Sequence, residues 1–216
     1  MVDITPSERS SRSHSQEIAD SAMKVEGVVA SDGDLAVRLM RDERSDYELM
    51  SAWLSDDRVL EFYDGRDNPL TMAGARDKYG PRSRGEASVE SCILELAGAP
   101  IGYLQFYRTD DFDEWRIVIG LEPDPTRYSI DLFIGEPELW NQGLGTRALR
   151  SVLGHLFGER QATSVVITPF AWNVRAIRCY EKAGFRKVRF IPEVELHEGK
   201  LQDEWVMQVD RDGPRP

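Results

Sequence analysis

The stretch LWNQGLGTRALRSVLGHLF, residues 139–157, sets two glycines one residue apart at the mouth of an amphipathic run. Leu149, Val152, Leu153 and Leu156 recur at helical spacing, so one face of this helix belongs to a core and its first turn faces outward. Gly143 and Gly145 can take backbone angles closed to other residues, and several consecutive N–H groups can then point into one hollow. At the positive end of a helix dipole such a hollow suits an anion, phosphate above all. Two common phosphate loops do not fit the letters. A Walker loop needs Lys-Ser or Lys-Thr after its last glycine, whereas Thr146 and Arg147 follow Gly145 here. A dinucleotide fingerprint is met only through Ala148, and it expects a strand that opens a βαβ unit.

The surrounding pattern predicts a mixed α/β sheet in one domain. LAVRLM, residues 35–40, alternates as a half-buried strand, and DYELMSAWLSD places Tyr47, Met50 and Leu54 at helical spacing. A loop through EFYDGRDNP precedes a second helix in TMAGARDKYG. SCILELA and IGYLQFY then read as a hairpin across Gly98, Ala99 and Pro100. An acidic linker over 108–127 leads into the strand YSIDLFIG. Past the glycine helix, TSVVITP is a buried strand and NVRAIRCYEKAGF a helix capped by Asn173 and closed by Gly184. RKVRFI and EWVMQV finish the sheet. Residues 1–33 are rich in Ser, Asp and Glu without periodicity and predict a mobile leader; the domain then runs 34–210, with 211–216 as a tail.

Several functions are excluded by composition. A formal charge of −11 argues against nucleic acid as a partner. The apolar runs are far short of the roughly 20 residues that cross a bilayer, and the N-terminus lacks the apolar core of a secretory signal. A cytoplasmic protein without membrane contact is expected. Cys92 and Cys179 are isolated, and His14, His155 and His197 show no ligand spacing, so no metal is expected. The charge is also unevenly spread. Residues 110–138 carry nine acids against two arginines, and residues 141–189 carry nine basic residues against two glutamates. Such a reversal suits a polycation beside a polyanion; an acidic loop followed by ordinary basic helix faces would look the same.

The strand, the glycine turn, and the spacing of Asn173, Ala176, Tyr180, Gly184 and Phe185 together resemble the GNAT superfamily of N-acetyltransferases. The resemblance covers roughly residues 35–209. It implies a mostly antiparallel central sheet of six to seven strands flanked by about four helices, with acetyl-coenzyme A as co-substrate. It further implies that the backbone of Leu132, Phe133 and Ile134, the turn residues Gln142, Gly143, Leu144, Gly145 and Thr146, and Asn173 hold the coenzyme. Trp140 departs from the family's usual Gln or Arg, and Gln142 is the candidate substitute.

Acyl transfer to an amine requires a proton acceptor, donors for the carbonyl oxygen and an acid for the leaving thiolate. Asp131 stands inside a strand, where Asp is depleted, and so needs a polar purpose: base for the amine, or a plain strand-edge cap. By the resemblance Tyr180 is the acid, or equally a hydrogen-bond donor to the sulfur without full proton transfer; by pattern alone such a residue is more often a core tyrosine.

A narrower likeness, carried by PIGYLQFY, IDLFIGEPELWNQGLGT and NVRAIRCYEKAGF, is to aminoglycoside 6′-N-acetyltransferases. It implies a polycationic aminoglycoside as substrate, acetylated on its 6′-amine by direct attack on the thioester. The matching substrate positions are Tyr63, Tyr79, Gln105, Asp113, Trp115 and Asp131, and Thr168 departs from an aspartate. The nine acids of 110–138 are expected to attract the ammonium groups and the basic segment to flank the coenzyme. Alternatives are another amine acceptor (a siderophore precursor, a polyamine or a protein N-terminus) or a non-catalytic module that binds acetyl-coenzyme A. A monomer or homodimer is expected.

Overall fold

A computed structural model of the protein describes residues 27–213. Its eight strands are β1 (Val28–Asp32), β2 (Leu35–Leu39), β3 (Glu90–Leu96), β4 (Ala99–Arg108), β5 (Arg127–Ile134), β6 (Ser164–Ile167), β7 (Arg186–His197) and β8 (Lys200–Asp210). They form one sheet in the order β1-β2-β3-β4-β5-β6-β8-β7. All neighbours are antiparallel except β5 and β6.

Side chains on the strands alternate between two cores, as the pleat requires. Cys92, Leu94, Leu104, Phe106 and Ile130 face one core; Ile93, Tyr103 and Phe133 face the other. The first is covered by α5 (Leu144–Gly158) and α6 (Val174–Ala183), the second by α1 (Arg44–Trp53) and α3 (Met72–Ser83). Two short helices, α2 (Asp57–Leu60) and α4 (Asp113–Val118), complete the set. Among the described residues, no helix is long and apolar enough to cross a membrane.

Some expectations change. Val28–Asp32 falls in the segment expected to be a leader, yet it pairs with β2, and Val29 and Ala30 pack on the first core. Among the described residues the sheet thus has eight strands, and there are six α-helices where about four were expected. The rest of the expected leader, residues 1–26, and residues 214–216 of the tail lie outside the described residues. The β3–β4 hairpin turns at Ala97 and Gly98, both at positive φ, while Ala99 and Pro100 already belong to β4 beside a register shift. The acidic linker folds rather than looping. Arg116 is buried and ties it together, donating to Asp113 Oδ1 at 2.8 Å and to Leu121 O at 2.8 Å.

Candidate active site

β5 and β6 pair only between Arg127–Ser129 and Ser164–Val166, after which they diverge. From Ile130 to Ile134 the edge of β5 facing β6 therefore has no strand partner among the described residues, although its other edge stays paired with β4 to Ile134. A cleft of about 820 Å³ opens at this divergence. Leu132, Phe133 and Ile134 line it. Trp140 also lines it, and its Nε1 donates to Ile134 O at 2.8 Å.

The N-terminus of α5 forms another wall. Gly143 is its N-cap at φ 81°, in the left-handed region that favours glycine, and no side chain caps the helix. The first bond of the helix backbone runs from Arg147 N to Gly143 O at 3.1 Å, which leaves the N–H groups of Leu144, Gly145 and Thr146 ahead of it. Gly143, Leu144, Gly145 and Thr146 all line the cleft. A Cβ at position 145 would stand 3.1 Å from Cys179 Sγ, so the glycine is what lets α5 and α6 approach there. This open, positively polarised turn fits a diphosphate. Asn173 also lines the cleft and caps α6 by accepting from Ala176 N at 3.1 Å. Gln142 does not reach the cleft: it is exposed and its Nε2 donates to Glu138 O at 2.9 Å.

Asp131 stands on β5 in the cleft, opposite Gln105 of β4. Gln105 Nε2 donates to Asp131 Oδ2 at 2.7 Å. Its Oε1 accepts from Arg82 Nη1 at 2.6 Å and from the Tyr103 hydroxyl at 2.8 Å, and Ser91 lies 2.6 Å from that hydroxyl. Two donors on Oε1 fix the amide, so Nε2 must face Asp131. Burial pushes the Asp131 carboxyl above its ordinary range, opposed by the Gln105 hydrogen bond and the Arg82 charge. Tyr180, on α6, is buried in the cleft wall, and burial drives its hydroxyl above the usual phenol range, so it keeps its proton at neutral pH.

The remaining expected substrate positions divide. Tyr63 and Trp115 line the cleft, Tyr63 against Phe133 with ring centroids 4.8 Å apart. Tyr79 does not. It is 0% exposed, packed on Tyr103 at 5.3 Å in the second core, because it falls on the inner face of α3. Asp113 is also elsewhere, its carboxylate held by Arg116 on the outer face of α4.

The acidic block of the sequence does not line the cleft. Of the nine acids in 110–138, only Asp131 lines the cleft. Asp110, Asp113, Asp124 and Glu138 are paired with Arg116, Arg127 and Arg58, and Glu136 accepts from Trp53 Nε1. The other cleft acids, Asp64, Glu195 and Glu204, come from distant parts of the chain. On the basic side, Arg175, Arg178 and Lys182 of α6 line the cleft, while Arg147, Arg160 and Arg186 are spent on surface ion pairs. Sequence inspection also missed Arg82 and the Arg175 guanidinium, which lies 3.9 Å over the Trp140 ring and 4.2 Å over Phe62. Nothing in their local spacing marks them.

Known proteins share this fold. The model of the acetyltransferase (GNAT) domain matches residues 42–192. The aminoglycoside N(6′)-acetyltransferases type 1 of Klebsiella pneumoniae and Serratia marcescens are each 33% identical over 161 residues, which is 74% of this chain and 78% of theirs. The crystal structure of the aminoglycoside acetyltransferase AAC(6′)-Ib in complex with coenzyme A superposes with a TM-score of 0.67 at 28% identity, covering 82% of this chain and 95% of that one. A similar match is to the same enzyme with coenzyme A and kanamycin. With the splayed strands, the glycine turn and the α6 motif in one cleft, the chain belongs to the GNAT acetyltransferase family.

Proposed function

We propose that the protein acetylates the 6′-amine of aminoglycosides, with acetyl-coenzyme A as donor, in the cytoplasm. One observation carries this reading: Asp131 and the open N-terminus of α5 share a single cleft whose other carboxylates are Asp64, Glu195 and Glu204. The relatives reported above, by their names, act on or bind aminoglycosides.

Bound coenzyme supplies the acetyl thioester. The N–H groups of Leu144, Gly145 and Thr146 hold its diphosphate, with Arg178 and Lys182 adding positive charge at the same wall. Asn173 and the free edge of β5 engage the arm that follows, and the N–H donors on that edge meet a carbonyl oxygen as it gains charge. Asp131 attracts the substrate ammonium and accepts its proton. A raised carboxyl pKa makes it a better base near neutrality, and Gln105 keeps one oxygen occupied so that the other faces the amine. Tyr180 gives its proton to the departing sulfur or hydrogen-bonds it. Tyr63 and Trp115 offer apolar faces to the sugar ring.

The test is release of free thiol from acetyl-coenzyme A with kanamycin or tobramycin, set against analogues that carry a 6′-hydroxyl. Turnover of the amines alone is expected. Activity confined to peptides or hydroxamate precursors, or tight coenzyme binding without turnover of any amine, would overturn the reading.

A further inference from the structure

We infer, resting on the acetyltransferase reading above, that Glu204 with Glu195 and Thr168 forms a second ammonium-binding subsite, distinct from Asp131, that favours acceptors carrying more than one amine.

Glu204 is only 5% exposed, lines the cleft, and its Oε2 has no hydrogen-bond partner among the described residues. A buried carboxyl oxygen without a hydrogen-bond partner is costly, so a position that keeps one calls for a donor group that arrives with the ligand. The backbone that carries this side chain is held in place. Phe170 forms a bridge with Glu204, Trp205 N donates to Pro169 O at 3.0 Å, and Ala171 N donates to Asp203 O at 2.8 Å.

Among the described residues no Lys or Arg faces Glu204, and of the two glutamates His197 neighbours Glu195 only. Glu195 from β7 and Asp131 from β5 face Glu204, both negative, and the Thr168 hydroxyl that follows β6 is its polar neighbour. Lys78 is paired with Asp64 at 2.8 Å and Arg82 donates to Gln105, so neither is free to turn toward it. Burial, reinforced by Glu195 and Asp131, pushes Glu204 up to about 8. At pH 7 it therefore holds a proton, which an incoming ammonium displaces. Asp131 cannot serve both needs, since the carboxylate that takes the proton of the reacting amine is not available to hold a second charge.

The experiment compares wild type with Glu204→Gln by thiol release on kanamycin and spermidine, and by calorimetry of coenzyme A and kanamycin binding in phosphate and Tris buffers. The expected result is a KM for the polyamine about tenfold higher, kcat within about threefold, and unchanged coenzyme A affinity, which also reports an intact fold. Kanamycin binding should release a proton from wild type at pH 7 and less from the variant. A KM within twofold of wild type on an acceptor that wild type uses would overturn the subsite alone. Wild-type turnover of neither amine would overturn the function proposed above and the subsite with it. If Glu204→Gln does not fold, wild type still decides, because kanamycin binding without proton release would overturn the subsite.

Discussion

Gln105 Nε2 donates to Asp131 Oδ2 at 2.7 Å across the β4–β5 pair, and Arg82 and Tyr103 together fix the amide that makes the bond. The candidate base is thus oriented by a side-chain network that begins on β3 at Ser91, buried beneath the cleft. An oriented carboxylate spends no reorganisation when the amine arrives, which is the usual advantage of a preorganised site.

Asp131→Asn removes the proton acceptor while keeping size and one hydrogen-bonding oxygen. A fall in kcat/KM of about 10²-fold or more is expected, as general bases typically contribute. Coenzyme A affinity, read by calorimetry, should stay within about twofold. A loss in kcat/KM of less than threefold would take Asp131 out of the proton transfer.

Gln105→Leu deletes the bond that opposes the burial of Asp131. Since that hydrogen bond lowers the carboxyl pKa, its loss raises it, and the acidic limb of the kcat/KM profile should move to higher pH. An unmoved limb would show that Gln105 only packs. Because the Arg82 and Tyr103 donors lose their acceptor, a stability loss of about 1–3 kcal/mol should accompany the shift in a denaturant melt.

Gly145→Ala tests the cradle. The added carbon meets Cys179 Sγ at 3.1 Å, so α5 and α6 must part by a few tenths of an ångström, and the N–H groups of the first turn shift with them. Coenzyme A binding should weaken by about tenfold, as expected from roughly 1.4 kcal/mol of lost contact. The KM of the acceptor should hardly change.

Tyr180→Phe leaves packing in place and removes the hydroxyl proton. Slower turnover with nearly unchanged coenzyme affinity is expected of a proton donor. Weakened affinity at normal turnover would instead assign Tyr180 to the core, beside Phe185.

Glu204 sets the sign of a pH effect on stability. Its pKa rises from an ordinary 4.5 to about 8 in the fold, so between those values the native state binds a proton that the unfolded chain has released. Stability then falls as pH rises through this window and levels off above it. Thermal melts from pH 5 to 8.5 should show the decline in wild type. Glu204→Gln should flatten it and melt higher than wild type at pH 8.5, by an amount on the order of 1 kcal/mol or more. Parallel curves would mean that Glu204 is solvated.

What could be read from the letters was whatever depends on neighbours along the chain. The α5 face of Leu149, Val152, Leu153 and Leu156, the Asn173 cap and the left-handed Gly184 all follow from local periodicity and backbone preference. The strands of alternating character, including β5 with Asp131 inside it, were legible for the same reason. Val28–Asp32 was not, because a short edge strand among polar residues carries no periodicity strong enough to separate it from a leader. Likewise Arg116 gave no hint that it would gather the acidic segment into a helix, since its burial depends on Leu121 and the acids around it.

The cleft's electrostatics belong to the tertiary structure. Charge counted along 110–138 pointed to a block of acids around the substrate, but four of the nine are bound to arginines and all except Asp131 lie outside the cleft. The carboxylates that meet Asp131 arrive from the loop after α2 and from β7 and β8, brought in by a sheet order that sets β8 beside β6. Sequence fixes what each short segment prefers through its own spacing. Which charges end up unpaired in a common hollow is decided only when strands remote in the chain become neighbours, because Coulomb interaction and desolvation act through space.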